Sequence, residues 1–187
     1  MANRNTQGFG LIPAGTLGST PATSGQGKYK IDAGSTTTIY NGAAVASNAG
    51  YIIDGQTTDA PILGVLNGIF YNAATTLKPT FANFYKQPIT PANSEDIDAF
   101  VFDNPQQQYV VATDDSVAQS GYLETYDMNT SAGDDITGKS SATLDIGDTS
   151  ADAASFRLLR SAEDPENDEN AAFRSVVVCL NLIELQS

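Results

Sequence analysis

Residues 173–185 constrain the fold more than any other segment of this sequence. Both alternating phases of the segment are apolar, with Val176 and Val178 in one phase and Val177 and Cys179 in the other. A strand that is apolar on both faces lies in the centre of a sheet or is covered by a partner. The segment therefore predicts a packed β protein in which this strand is central or lies at an interface.

Short strand-like segments separated by Gly, Asn and Asp fill the chain from residue 28 onward. The predicted strands lie at residues 28–31, 36–40, 43–45, 62–71, 99–102, 109–113, 122–126, 142–146 and 156–159. Residues 103–107 are typical of the loop of a hairpin, and residues 150–154 predict one helical turn. The pattern predicts an all-β fold, a small antiparallel barrel or sandwich with an extended N-terminal arm and little helix.

Residues 1–27 have a different character. Six glycines and two prolines leave no room there for a regular element. The segment nevertheless contains Arg4 and four large apolar residues, Phe9, Leu11, Ile12 and Leu17. A disordered terminus is one interpretation. We favour an extended arm that orders on a partner and buries these side chains, which gives an arm at 1–27 and a single β domain at 28–187.

Composition excludes several classes of function. The chain has no histidine and one cysteine, so imidazole catalysis, disulfide frameworks and multi-cysteine metal sites are ruled out. The net charge is −13, and it is unevenly distributed: residues 1–90 carry five basic and three acidic side chains, and residues 91–187 carry four and 19. Such an acidic chain is a poor candidate for binding nucleic acid.

Acidic clusters are the remaining candidates for chemistry. Asp127 and Asn129 begin like a calcium loop, but Ala132 and Gly138 stand where that loop requires Gly and Glu. Residues 164–169 alternate carboxylates, which is typical of a solvated acidic loop. Cys179 lies in the most apolar segment and is interpreted as a small core residue. We therefore predict no catalytic residues, no cofactor and no metal site; a glycan hydrolase built on paired carboxylates is the weakest alternative.

No export or membrane signal is recognisable. The first ten residues are polar, and the longest apolar stretch, residues 61–71, is far shorter than the ~20 residues that a spanning helix needs. We expect that the protein is made in the cytoplasm and does not associate with a membrane.

The order of the motifs resembles a known family over nearly the whole length of the chain. The motifs are GFGLIPAGTLGS at 8–19, KYKI at 28–31, YNGAAV at 40–45, ILGV at 62–65, AFVFDNP at 99–105, DPEN at 164–167 and VVVCLN at 176–181. This order is similar to that of the capsid decoration proteins of tailed bacteriophages, which are also called cement or head-stabilising proteins. The glycines, prolines and valines of each motif are common residues, so the resemblance rests on their order and spacing.

The resemblance implies a non-enzymatic, mostly β protein of the virion, made in the host cytoplasm. It would bind the major capsid protein shell from outside, as a homo-oligomer (dimer or trimer), through its N-terminal segment. The candidate interface residues are then Arg4, Phe9, Leu11, Ile12 and Leu17. The alternative is a receptor- or glycan-binding module of a head or tail fibre, which would be present in far fewer copies per particle.

Overall fold

A computed structural model describes residues 5–18, 25–56, 61–129, 133–147, 154–168, 170–181 and 183–186. The described residues form eleven strands and three one-turn 3-10 helices. The strands are β1 Ile12–Thr16, β2 Gly27–Ile31, β3 Ala44–Asn48, β4 Tyr51–Asp54, β5 Gly64–Asn72, β6 Pro79–Ala82, β7 Ile97–Phe102, β8 Gln107–Ala112, β9 Thr125–Tyr126, β10 Phe156–Ser161 and β11 Ser175–Leu180. The 3-10 helices are Ala92–Ser94, Gln119–Gly121 and Glu184–Gln186.

The strands form two antiparallel sheets. The five-stranded sheet has the order β1-β8-β11-β10-β9, and the six-stranded sheet has the order β2-β7-β5-β3-β4, with β6 paired to β5. Edge strands β2 and β4 of the six-stranded sheet also contact each other, which curls that sheet without closing it into a barrel. The predicted all-β class is confirmed, and of its two forms the structure is the sandwich.

The six-stranded sheet separates two hydrophobic cores. The core between the sheets, here the intersheet core, contains Ala44 and Val65 from this sheet and Tyr109 and Val178 from the other. The core on the concave side of the curled sheet, here the inner core, is built from the residues that alternate with them. Its members include Ile31, Val45, Leu66, Ile69, Ile97, Ala99 and Val101. Adjacent residues of one strand thus point into different cores, as the period of two requires.

Strand β11 lies inside the five-stranded sheet, between β8 and β10. All six of its residues are buried. The sequence prediction of a central strand is therefore confirmed. The alternative, that a partner covers one face of β11, is not needed to explain its apolar residues. Val177 is 3% exposed and Val178 is fully buried within this chain.

The hairpin predicted around residues 103–107 is wrong. Strand β7 pairs with β2 and β5, whereas β8 pairs with β1 and β11, so the connection crosses from one sheet to the other. The Tyr109 hydroxyl donates a hydrogen bond to the Phe102 carbonyl at 3.0 Å across this connection. Strands β7 and β8 are consecutive in the sequence, but each pairs with strands that are more distant along the chain. The connection between them is therefore a crossover and not a hairpin.

Three other predictions need correction. Residues 36–40 and 142–146 do not form strands of their own; they contribute isolated bridges at Ile39 and Leu144. The N-terminal segment, predicted to lack regular structure, contains β1. The helical turn predicted at 150–154 lies almost wholly outside the described residues.

We predict that Val177→Asp and Val178→Asp both destabilise the protein severely, by about 3 kcal/mol or more. Each change buries an unpaired carboxylate, on one face of β11 or on the other. Thermal melts followed by circular dichroism measure the effect. A Val177→Asp variant that melts like the unchanged protein would show that this face of β11 is open to solvent.

Candidate site: a cleft beside the N-terminal strand

The N-terminal segment runs closely along the body of its own chain. A Cβ on Gly8 would lie 2.1 Å from the Ser141 carbonyl oxygen, so only glycine fits at this approach. Gly10 has a φ of +71°, a conformation that other residues rarely adopt, and its N–H donates to the Ala142 carbonyl at 3.2 Å. Gly8 and Gly10, which hide this segment's regularity in the sequence, are thus required by the contact.

Strand β1 is the edge strand of the five-stranded sheet. Ile12 lies opposite Val110 of β8, and the register shifts between Pro13 and Gly15. The Gln107 side-chain amide donates to the Gly15 carbonyl at 2.7 Å and holds the strand beyond this shift. A proline and an irregularity in an edge strand interrupt the row of free backbone groups that another strand would need.

A cleft of about 400 Å³ opens between this segment and the six-stranded sheet. Its lining residues are Phe9, Leu11, Ile12, Pro13, Asn41, Gly42, Val65, Leu66, Asn67, Phe102 and Lys139. The floor is fixed by backbone hydrogen bonds from Leu11 N–H to the Gly42 carbonyl and from Gly42 N–H to the Leu66 carbonyl, at 2.9 and 2.8 Å. The Lys139 side chain is exposed, and it is the only charged one among the described residues of this lining.

The chemistry of the cleft is that of binding. Its walls are apolar, two asparagines contribute amide groups, and one cation lies among them. The described residues that line it contribute no carboxylate, hydroxyl or thiol. An apolar side chain next to a carboxylate is the kind of group that would fit.

The predicted interface residues fall into different environments. Phe9 and Ile12 line the cleft, and Ile12 is 49% exposed. Leu17 is half-buried, its N–H donates to the Gln106 carbonyl at 2.9 Å, and it does not line the cleft. Arg4 lies outside the described residues.

Leu11 is in a different environment from Ile12. Its side chain is 2% exposed and belongs to the intersheet core, although Leu11 also contributes to the lining of the cleft. Strand β1, within the predicted arm, pairs with β8, and β2 begins at Gly27, the last residue of that arm. Residues 5–18 make hydrogen bonds and strand pairs with the rest of this chain.

Sequence reasoning missed the rest of the cleft. Phe102, Asn67 and Lys139 come from three distant parts of the chain, and only the pairing of β5 with β7 and the bridge between Asn41 and Lys139 bring them together. Lys28 and Lys30 of the KYKI strand do not line the cleft. Both form ion pairs with Asp98, at 2.7 and 2.5 Å.

The acidic clusters have structural roles in the described residues. The Asp127 carboxylate accepts a hydrogen bond from the Ser155 N–H at 2.9 Å, and Asp164 accepts one from the Glu166 N–H at 3.0 Å. The Asn167 side chain fastens the acidic loop by donating to the Ser175 carbonyl at 2.8 Å. Nowhere in the described ranges do three or more Asp, Glu or Cys side chains come together as metal ligands would.

Cys179 is buried, and burial raises the pKa of its thiol. The thiolate needed for nucleophilic chemistry is therefore disfavoured, which agrees with its interpretation as a core residue. The helices that the structure describes are all too short to cross a membrane.

No protein-family model, curated protein or solved structure matched this chain when it was compared with each.

We predict that Leu11→Ala and Ile12→Ala differ sharply in stability. Leu11→Ala leaves a cavity in the intersheet core and costs about 2–5 kcal/mol, whereas half-exposed Ile12 costs about 1 kcal/mol or less. Urea unfolding of both variants measures the difference. Equal, small losses would mean that the N-terminal segment does not contribute to the folded body.

Stability should be nearly constant from pH 8 to 6 and fall below about pH 4, since the chain has no histidine. Burial alone would raise the pKa of Asp98, but the ion pairs with Lys28 and Lys30 outweigh burial and lower it. A carboxylate with a lowered pKa in the folded state stabilises the fold above its unfolded pKa, and this contribution is lost as pH falls through the folded pKa.

The melting temperature measured against pH tests this expectation, with Asp98→Asn as the control that removes one contributor. Asp98→Asn should show a smaller loss between pH 5 and 3 than the unchanged protein. A loss of stability with a midpoint near pH 6.5 would contradict the expectation that carboxylates such as Asp98 control the pH dependence.

Proposed function

We propose that this protein is a non-enzymatic capsid decoration protein that binds the outside of an assembled phage capsid and stabilises it. Its partner is the shell of major capsid protein, and its location is the outer surface of the virion. The observation that carries the proposal is the cleft in which half-exposed Ile12 lies beside Phe9 and Lys139. The motif order that resembles decoration proteins includes the segment that builds this cleft.

Binding stabilises the shell by mass action. A protein that binds only the assembled shell stabilises each site by RT ln(1 + [L]/Kd), which is about 2.7 kcal/mol at a hundredfold excess over Kd. Each contribution is small, but it is repeated at every equivalent site of the shell. No catalysis is required, and a rigid β body with one apolar cleft is sufficient.

The charge distribution supports one orientation on the shell. Residues 103–187, which contain β8–β11, carry 16 acidic and four basic side chains. Residues 25–102, which contain the six-stranded sheet, carry six acidic and four basic side chains. We propose that the cleft faces the shell and the acidic part faces solvent, where like charge keeps particles apart.

We predict that Ile12→Ser and Lys139→Glu each weaken binding to purified empty capsids by about 1–3 kcal/mol, because both side chains line the proposed contact. The matched control is Leu123→Ser, which also removes an exposed apolar side chain but lies next to β9, at the opposite edge of the five-stranded sheet. The control should bind like the unchanged protein.

Co-sedimentation with capsids, followed by gel quantification against the major capsid protein, gives both affinity and copy number. A saturating copy number comparable to that of the capsid protein is expected. Absence of binding contradicts the proposal, and a few copies per particle would favour the fibre-module alternative instead.

A further inference from the structure

The outer face of the six-stranded sheet carries three phenylalanines beyond the area that the five-stranded sheet covers. Phe102 of β7 packs against the intersheet core, and Phe100, two residues earlier on the same face, lies outside it. Phe70 of β5 lies opposite Asp98 and opposite Phe81 of β6. Phe70, Phe81 and Phe100, with Gly68 beneath them, are called the aromatic patch.

Phe81 is the most exposed member of the patch, at 65%. Its ring lies 6.1 Å from that of Phe100, and it does so by crossing Gly68 of β5. A Cβ on Gly68 would lie 2.9 Å from the tip of the Phe81 ring, so the absence of a side chain at Gly68 leaves room for the ring. The Phe81 and Phe100 rings pack together, and Phe70 lies opposite Phe81 on the neighbouring strand. Neighbouring aromatic side chains on a sheet face form an apolar surface, which is typical of an interface.

Charges of both signs border the aromatic patch. Lys28 lies opposite Phe100, and Lys30 lies opposite Asp98, in the next row of the sheet. Both ammonium groups are about half exposed and already paired with the Asp98 carboxylate. Glu95 and Asp96 lie near Lys30 and Phe70, around the same small cavity. With two ammonium groups and three carboxylates, this border has nearly balanced charge, so two identical faces can meet with little repulsion.

Net charge disfavours contact between copies through the part of the chain that contains β8–β11. Residues 103–187 have 12 more acidic than basic side chains, against two more in residues 25–102. Two copies therefore repel each other least where their six-stranded sheets meet. Closed oligomers commonly use a self-complementary patch of this kind, in which the same surface of both subunits is buried.

We propose that the aromatic patch binds a second copy of this chain. The patch shares no residue with the lining of the N-terminal cleft, and the inference does not depend on capsid binding. In a complex, Phe81 of each copy is the central apolar contact, and Lys28, Lys30 and Asp98 lie at the rim.

Analytical ultracentrifugation over a wide range of concentration tests the proposal with the full chain. The unchanged protein should form an oligomer, with the dimer as its smallest form, and Phe81→Ser should weaken self-association by about tenfold or more. The matched control is Ile136→Ser, because Ile136 is 93% exposed but lies on a different surface loop. The control should associate like the unchanged protein.

Circular dichroism melts show whether Phe81→Ser is folded; should it unfold, Phe81→Lys, which keeps a long side chain over Gly68, takes its place. An unchanged protein that stays monomeric overturns the proposal, as does an oligomer that Phe81→Ser leaves intact. A monomer whose Phe81→Ser variant loses capsid binding would assign the patch to the capsid and also overturn it. Capsid binding that fails while self-association behaves as expected contradicts the proposed function alone.

Discussion

The structure depends on the burial of both faces of the central strands in the six-stranded sheet. Ala44 and Val65 enter the intersheet core, while the next residues, Val45 and Leu66, enter the inner core. Both cores therefore share one layer of backbone, and neither can form without it. Apolar burial stabilises a fold by about 25 cal/mol per Å², so burial on both sides lets each pair of adjacent residues in these strands contribute to both cores.

This shared layer determines where the two proposed binding surfaces lie. The five-stranded sheet covers only one end of the outer face of the six-stranded sheet, over Val65 and Phe102. The N-terminal segment fills part of the junction and leaves the cleft beside Phe102. The aromatic patch occupies the uncovered remainder of the same face. The cleft and the patch both lie where the five-stranded sheet leaves the outer face of the six-stranded sheet uncovered.

Local pattern in the sequence was enough for the strands whose burial is symmetric. β11 was predicted because both of its phases are apolar, and β5 because residues 62–71 are largely apolar. The sequence alone could not distinguish a hairpin turn at 103–107 from a crossover between sheets, because the same loop residues are compatible with both connections. What decides is the long-range pairing of β7 with β2 and of β8 with β11. β1 was missed because its neighbouring glycines serve close contact with Ser141 and Ala142, which only the fold brings near.

The central claim is that the cleft side of this protein faces a phage capsid. A three-dimensional reconstruction of empty capsids saturated with the protein tests it most directly. The account predicts regularly repeated density on the outer surface, with Phe9 and Ile12 at the contact and the acidic part, residues 103–187, directed mainly to solvent. An undecorated shell, or contact made chiefly through that acidic part, would contradict it.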